Sequence, residues 1–393
     1  MARRPTLIYD GDCTFCARWV ERWRATTGDR VRYLTSQKAA EEFLDIAKQE
    51  SNEAVQWVGA EGERLSGAPA VFAALATASA SGRTLLSLYN EKSWFARPAD
   101  AAYRAVARNR MFFSRVTQLL WGADVRVPTF AISTWLFLRL LGVVYLLAFI
   151  SYWVQLSGLN GAKGILPAAE FFDRVREILG DAGFLQFPSV CWLGAGDTAL
   201  YAWCGAGIFA ALVLIIGFVP LPCLVFLWSD YLSLTVAGQL FYQYQWDILL
   251  LEAGFMSIFL APVGLRLARP ANPQPPARFL IIWLLFRLIV ASGVVKLTSG
   301  DPAWADGTAL EYHYFTQPLP TPLAWFAQQS PATWQTISVW AMFAIELVLP
   351  FFLFAPRRIR LFGVGGIATL QLLIALTGNY GFFNLLTLLL CLM

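Results

Sequence analysis

Residues 6–24 read TLIYDGDCTFCARWVERWR, and the chain passes from strand to helix within them. Thr6–Tyr9 is a short apolar, β-prone run. Asp10-Gly11-Asp12 supplies a turn, and Cys13-Thr14-Phe15-Cys16 opens a helix that runs to about Arg24. A thiol at a helix N-terminus meets the positive end of the dipole and unpaired backbone N–H groups, and both favour thiolate. In such a pair the first cysteine attacks a disulfide and the second, one turn on, resolves the mixed disulfide. A C-x-x-C beside a βαβ pattern is therefore a redox dithiol. The competing reading is half of a zinc site, which needs two more ligands. The only nearby candidates are carboxylates, and the chain has a single histidine.

Outward from this stretch, strands are expected near Val31–Leu34 and Ala54–Val58, with a helix near Lys38–Gln49 between them. Ala60-Glu61-Gly62 reads as a hairpin turn into Arg64–Leu65, and Gly67-Ala68-Pro69 precedes a helix over Ala70–Ala80. A βαβ unit, a hairpin and a helix make the α/β thioredoxin-like arrangement. Residues Ala99–Trp121 read as one basic amphipathic helix with Arg104, Arg108, Arg110 and Arg115 beside Tyr103, Met111, Phe112 and Phe113. It either lies on the inner membrane surface or packs as the last helix of the soluble domain.

Of the 393 residues, 57% are hydrophobic and 14% charged, against about 45–50% and about 25% in soluble domains. Charge is concentrated at the start: 32 of the first 130 residues are charged, and 24 of the remaining 263. This predicts a soluble domain over 1–120 and an all-α transmembrane bundle over 121–393. It excludes a fully soluble enzyme, a disordered chain and a secreted disulfide scaffold. A net charge of +4 is too small to argue for nucleic acid. Cys191, Cys204, Cys223 and Cys391 are scattered through the apolar part. Met-Ala-Arg-Arg runs straight into the first strand with no signal peptide, which places the first domain in the cytoplasm, where thiols stay reduced.

Runs long enough to cross a bilayer lie near 131–156, 199–219, 221–238, 246–262, 280–298, 334–354 and 362–378, with a shorter one at 382–393. Seven or eight membrane helices are expected. Alternation puts Arg126, the group Arg266, Arg269 and Arg278, and the group Arg357, Arg358 and Arg360 on one side, the cytoplasm. The 157–198, 239–245 and 299–333 segments then face the periplasm from a multi-pass inner membrane protein.

Charged residues in spans are costly and usually functional. Here they are Arg139, Asp230, Asp247, Glu252, Arg287, Lys296 and Glu346, with Asp301, Asp306, Glu311 and His313 in the following outer loop. A polar chamber opening away from the cytoplasm would collect Lys296, Asp247, Glu252, Asp301 and His313. The plainer reading, buried ion pairs, is preferred for Arg139, Arg287 and Glu346. A desolvated Lys296 would be a base at neutral pH, opposed by Asp247 or Glu252 nearby. His313 would carry protons, or simply be hydrogen bonded.

The stretch YDGDCTFCARWVERW resembles the DCC family of thiol-disulfide oxidoreductases, with Asp12, Cys13 and Cys16 on its signature and Tyr9, Asp10 and Gly11 also in place. The resemblance extends to about residue 120. It implies a thioredoxin-like fold with Cys13 as nucleophile and Cys16 as resolving thiol. Pro69 falls where thioredoxin-like proteins carry a cis-proline beside the active site, and a helix-start proline is the alternative.

From about 135 to 393 the chain resembles the lipase maturation factor family. The stretches are RLLGVVYLLAFISYWVQLSGLNGAKGILPA, FYQYQWDILLLEAGFMSIFLAP, SGVVKLTSGDPAWADGTALEYHYFTQPLPTPLAW, IELVLPFF and LTGNYGFFNLLTLLLCL. That family consists of multi-span proteins that help secreted lipases mature. Its members continue into a soluble C-terminal region, where this chain ends at Met393, so a role that needs that region is set apart. Gly293-Val294-Val295-Lys296-Leu297, with Trp304 and Gly307, locally resembles the segment that carries the catalytic lysine of vitamin K-dependent gamma-carboxylases.

Together these predict a membrane thiol-disulfide oxidoreductase acting through Cys13 and Cys16, fused to a maturation-factor-like bundle. It would support redox-linked maturation of exported proteins such as lipases. Its expected partners are the bilayer, such clients and a cellular thiol reductant or oxidant, with no nucleic acid. No metal or firm cofactor is expected beyond the dithiol, with a quinone or lipid as the open alternative. Two other readings stand: a membrane enzyme on a lipid or quinone-like substrate with Lys296 as base, and a non-enzymatic scaffold or chaperone.

Overall fold

Leu7 and Ile8 are adjacent on a strand, and both are fully buried, on opposite faces. In the computed structural model, which describes residues 4–43, 53–265 and 272–393, that strand is β1 (Thr6–Tyr9). It lies inside a sheet of order β2-β1-β3-β4. β2 (Arg32–Thr35) runs parallel to it, with Leu7 opposite Tyr33. β3 (Gln56–Val58) is antiparallel, with Leu7 opposite Trp57, and β4 (Arg64–Ser66) closes a hairpin with β3. Leu7 packs with Val20, Val31, Trp57 and Ala70 on one face; Ile8 packs with Leu34, Ala39 and Val58 on the other. A parallel β1–β2 pair needs a crossover, and α1 (Thr14–Thr27) provides it.

The helix expected near Lys38–Gln49 begins as α2 (Ser36–Glu42), and its remainder lies outside the described residues. α3 (Ala68–Ala76) follows Gly67, whose φ of 76° favours glycine. α4 (Ala80–Glu91) starts afresh, with the Ser79 hydroxyl accepting from the Gly82 N–H at 3.0 Å. The single helix expected over 99–121 is two: α5 (Ser93–Arg108) and α6 (Arg110–Trp121). Asn109, at φ −120° and ψ 40°, breaks the helical backbone between them.

The chain divides into two compact units, Met1–Pro128 with Pro356–Arg358, and Thr129–Ala355 with Ile359–Met393. The second is helical. Its long helices are α7 (Ala131–Leu159), α9 (Asp197–Ile216), α10 (Pro220–Gly238), α12 (Pro275–Thr298), α14 (Ala332–Leu347) and α15 (Arg357–Thr377). Shorter ones are α8 (Ala168–Leu179), α11 (Gln245–Ile258), α13 (Ala309–Thr316) and α16 (Phe383–Leu390). Among the described residues six helices are long and apolar enough to cross a membrane, α10 and α14 being extended to Tyr242 and Phe354 by a further turn. Seven or eight were expected from the apolar runs. α11 has 14 residues, a rise of about 21 Å against a hydrocarbon core of about 30 Å. α16 has only eight.

The apolar run around α11 nevertheless reaches the far end of the bundle. The Val219 N–H donates to the Leu265 carbonyl at 2.9 Å, seven residues past the end of α11. The starts of α7, α12 and α15 also gather at one end. The Arg278 and Arg360 guanidiniums lie 3.4 and 5.3 Å from the Phe130 ring centre. Small residues let the helices close: a Cβ on Gly207 of α9 would lie 2.4 Å from the Phe149 ring of α7.

Candidate functional site

Cys13 is the N-cap of α1. Its backbone is extended, and its Sγ accepts from the Cys16 N–H at 3.2 Å. The turn before it fixes this position. Asp10 Oδ1 accepts from the Asp12 N–H at 3.0 Å, and the Cys13 N–H donates to the Asp10 carbonyl at 3.4 Å. Gly11 leaves room for the neighbouring strand end: a Cβ there would lie 2.6 Å from Gln37 Oε1 and 2.9 Å from Thr35 Cβ. Both sulfurs are half-buried free thiols.

Asp10 Oδ2 accepts from Arg110 Nη1 at 2.9 Å. Arg110 also donates from Nη2 to the Glu53 carbonyl at 2.8 Å and from Nε to the Ala107 carbonyl at 3.1 Å. It is hydrogen bonded to the Cys13 side chain as well. A cation is thus held against the dithiol by three backbone and side-chain acceptors. Burial pushes the Cys16 thiol up to about 12, the hydrogen bond and proximity of Cys13 add to this, and Arg110 pulls the other way. At neutral pH Cys16 therefore keeps its proton while Cys13 faces the turn.

The sequence candidates divide. Asp12 turns away, its Oδ2 accepting from Gln37 Nε2 at 3.0 Å. Pro69 sits in the first turn of α3. No cis peptide bond occurs among the described residues, so the helix-start alternative holds and the cis-proline does not. Arg110 and Tyr103 join the site unforeseen. Tyr103 packs under Gly67, accepts from the Val55 N–H at 2.9 Å and lies within electrostatic reach of both sulfurs. They belong to two successive helices, α5 and α6, and nothing in the amphipathic pattern of 99–121 points at residue 13.

A cavity of about 890 Å³ opens beside Cys16. Its walls come from α1, α3, α5 and α6 and carry Trp19, Trp23, Phe72, Phe95, Phe113 and Trp121.

In the second unit the charged residues named for a polar chamber take separate partners. Lys296 pairs with Glu346, its Nζ 2.7 and 2.8 Å from the two carboxylate oxygens and 3.2 Å from the Ser292 carbonyl. The partner is thus Glu346, and not Asp247 or Glu252 as expected. Asp247 accepts from the Tyr231 hydroxyl at 2.5 Å, and Glu252 pairs with Arg287. Glu252 thus has a countercharge of its own, while Asp247 has a neutral hydroxyl and neither carboxylate oxygen of the buried Asp230 is hydrogen bonded. Arg139 has no carboxylate partner among the described residues: it donates to the Ile216 carbonyl at 3.3 Å and lies 4.1 Å from the Trp135 ring centre.

Part of the outer-loop group does converge on Lys296. Its Nζ is 5.7 Å from the Trp304 ring centre. His313 Nε2 lies 3.4 Å from the Tyr380 hydroxyl. Burial and then Lys296 hold the His313 pKa below its ordinary value. Asp301 caps the short helix that carries Trp304, accepting from the Ala303 N–H at 2.9 Å.

Two family models match. The lipase maturation factor transmembrane domain covers residues 132–393, and the DCC1-like thiol-disulfide oxidoreductase covers residues 7–116. Lipase maturation factor 2 of Gallus gallus is 44% identical over 269 residues, which are 65% of this chain and 37% of that protein. Its Rattus norvegicus counterpart is 44% identical over 295 residues, 68% of this chain and 40% of that protein. Lipase maturation factor 1 of Mus musculus is 34% identical over 278 residues, 67% and 48%. The chain spans about two fifths of the length of the first two relatives. No solved structure matches it.

Proposed function

We propose, for a chain that belongs to the lipase maturation factor family, that its DCC1-like domain is a dithiol redox module of thioredoxin-like fold serving the maturation of exported proteins such as lipases. The domains would be 1–120 and 121–393. The observation that carries this is the asymmetry of the pair: Cys13 caps α1, while Cys16 is held protonated beneath it with Arg110 alongside.

In the reducing direction the Cys13 thiolate attacks one sulfur of a client disulfide, and the other client sulfur leaves as thiolate. Cys16 then loses its proton and attacks Cys13 Sγ. The mixed disulfide breaks, the second client sulfur leaves, and a Cys13–Cys16 disulfide remains. Two electrons pass to the client, and two thiol protons are released to it or to solvent. The reverse sequence oxidises a client dithiol.

The arginines at the starts of α7, α12 and α15 favour a cytoplasmic face there, with the 299–333 segment on the periplasmic side of an inner membrane. Lys296 as a base is disfavoured. Its Nζ is already bound to both carboxylate oxygens of the buried Glu346 and to the Ser292 carbonyl.

The test is a trap. Cys16→Ser, expressed at native level with a secreted lipase, should accumulate Cys13-linked mixed disulfides whose partners mass spectrometry identifies. Lipase activity should fall in Cys13→Ser cells. Paired permeant and impermeant maleimides report the side of the pair. Normal lipase maturation in Cys13→Ser cells would instead support a scaffold whose cysteines are dispensable.

A further inference from the structure

The cavity beside Cys16 plays no part in that exchange. Its volume of about 890 Å³ falls in the range of small-molecule sites, about 300–1,000 Å³. Few polar residues line it, namely Asp10, Cys16, Tyr103, Arg110 and Thr117, and Asp10 and Arg110 satisfy each other. A peptide entering these aromatic walls would bury amide groups without partners. A quinone ring carries only two carbonyl acceptors and no donor, and the Tyr103 and Thr117 hydroxyls of the lining can meet them. Cys13 is absent from the lining, so the two sulfurs serve different spaces: Cys13 the turn, Cys16 the cavity.

α6 adds a direction of approach. Phe113, Val116 and Leu120 line the cavity, while Met111, Phe112 and Leu119 of the same helix are 75%, 62% and 68% exposed. Exposed apolar side chains next to the cavity, interspersed with Arg115 and Gln118, suit a molecule that partitions from an apolar phase.

We propose that this cavity binds a lipid-soluble quinone, which takes two electrons from the Cys13–Cys16 dithiol through Cys16. The Cys16 sulfur bonds to a ring carbon as its proton passes to a quinone oxygen. The Cys13 thiolate then attacks Cys16 Sγ, the sulfur–carbon bond breaks, and its electron pair returns to the ring. The products are a Cys13–Cys16 disulfide and a hydroquinone that carries the Cys16 proton and a second proton taken from solvent. This rests on the dithiol reading above and adds its electron acceptor.

The full chain, purified in detergent and reduced, is mixed anaerobically with decylubiquinone or, separately, with hydroxyethyl disulfide. Hydroquinone is measured by absorbance, and the protein disulfide by maleimide mass-tagging. Binding is read as tryptophan quenching by decylubiquinone in the Cys13→Ser/Cys16→Ser variant, which cannot react. The expected result is equimolar hydroquinone and protein disulfide, with quenching. Ala102→Trp and Val116→Trp fill the cavity from two helices. Each should slow the quinone reaction at least about tenfold relative to its own reaction with hydroxyethyl disulfide. If one fails to fold, the other and the quenching decide. Oxidation by hydroxyethyl disulfide but not by quinone overturns the proposal and leaves the dithiol reading standing. Failure of both oxidants overturns the dithiol reading as well. Quinone oxidation unaffected in a folded cavity variant places the quinone elsewhere and overturns the site.

Discussion

Arg110 reaches back 100 positions along the chain to donate to Asp10 at 2.9 Å, and in doing so lays its guanidinium beside the Cys13–Cys16 pair. The interaction joins the turn that positions the dithiol to the helix that walls its cavity. It also fixes the local charge. Arg110 lowers the cost of deprotonating Cys16, and Asp10 raises it.

Removing the cation should therefore slow the resolving step. Arg110→Ala leaves the half-buried Asp10 carboxylate facing the thiols without its countercharge. The lifetime of a mixed disulfide on Cys13 should lengthen by about tenfold, the effect of about one pKa unit on Cys16. Asp10→Asn should shorten it. The two lifetimes, measured by quenched-flow mass tagging, must move in opposite directions; equal slowing would mean that both substitutions merely loosen the turn.

Cys16 itself predicts a pH profile. Its thiol is pushed up to about 12, largely by burial. Alkylation of Cys16 in Cys13→Ser should then keep rising with pH well beyond the ordinary thiol value, by up to about tenfold per unit. Because the folded value exceeds the unfolded one, Cys16 contributes stability that is fully present below about 9 and is lost as pH rises toward about 12. Urea midpoints of wild type and Cys16→Ser should converge over that window.

In the membrane unit the sequence marked costly charges, and the structure pairs most of them. Lys296→Met would strand Glu346, a side chain 5% exposed, and should cost about 3 kcal/mol or more. Lys296→Met with Glu346→Leu should recover most of that loss. Detergent melting temperatures of the two singles and the double form a double-mutant cycle. Simple additivity would show that the pair does not interact.

Legibility followed the range of each interaction. The four strands and α1 were readable because alternation, turn residues and the cysteine spacing are local signals. The run at 246–262 was readable as apolar but not as a short helix, since its end is set by packing and by the Val219–Leu265 contact. The break at Asn109 was hidden inside a continuous amphipathic pattern. Arg110 looked like one of four helix arginines, and only the tertiary fold brings it to Asp10. Lys296 and Glu346 were each singled out, but 50 residues separate them, and no spacing rule chooses between Glu346 and the nearer Asp247 or Glu252.

His313 offers a readout of the Lys296 pair from outside the spans. Burial and the nearby ammonium hold its pKa below the ordinary 6.5. The folded protein therefore binds fewer protons there than the unfolded chain does as pH falls below about 6.5. Stability associated with His313 is present above that value and declines as pH falls through it toward the folded pKa. Burial and the Lys296 ammonium have separable consequences. His313→Gln should flatten the acid side of the stability profile between about pH 6.5 and the folded value. Lys296→Met should move the histidine titration upward by removing the ammonium while leaving the burial. As this is the chain's single histidine, specific imidazole labelling gives one resolvable NMR signal. An unchanged titration in Lys296→Met would show that burial alone sets it, and that the 3.4 Å contact with Tyr380 is structurally independent of the ion pair.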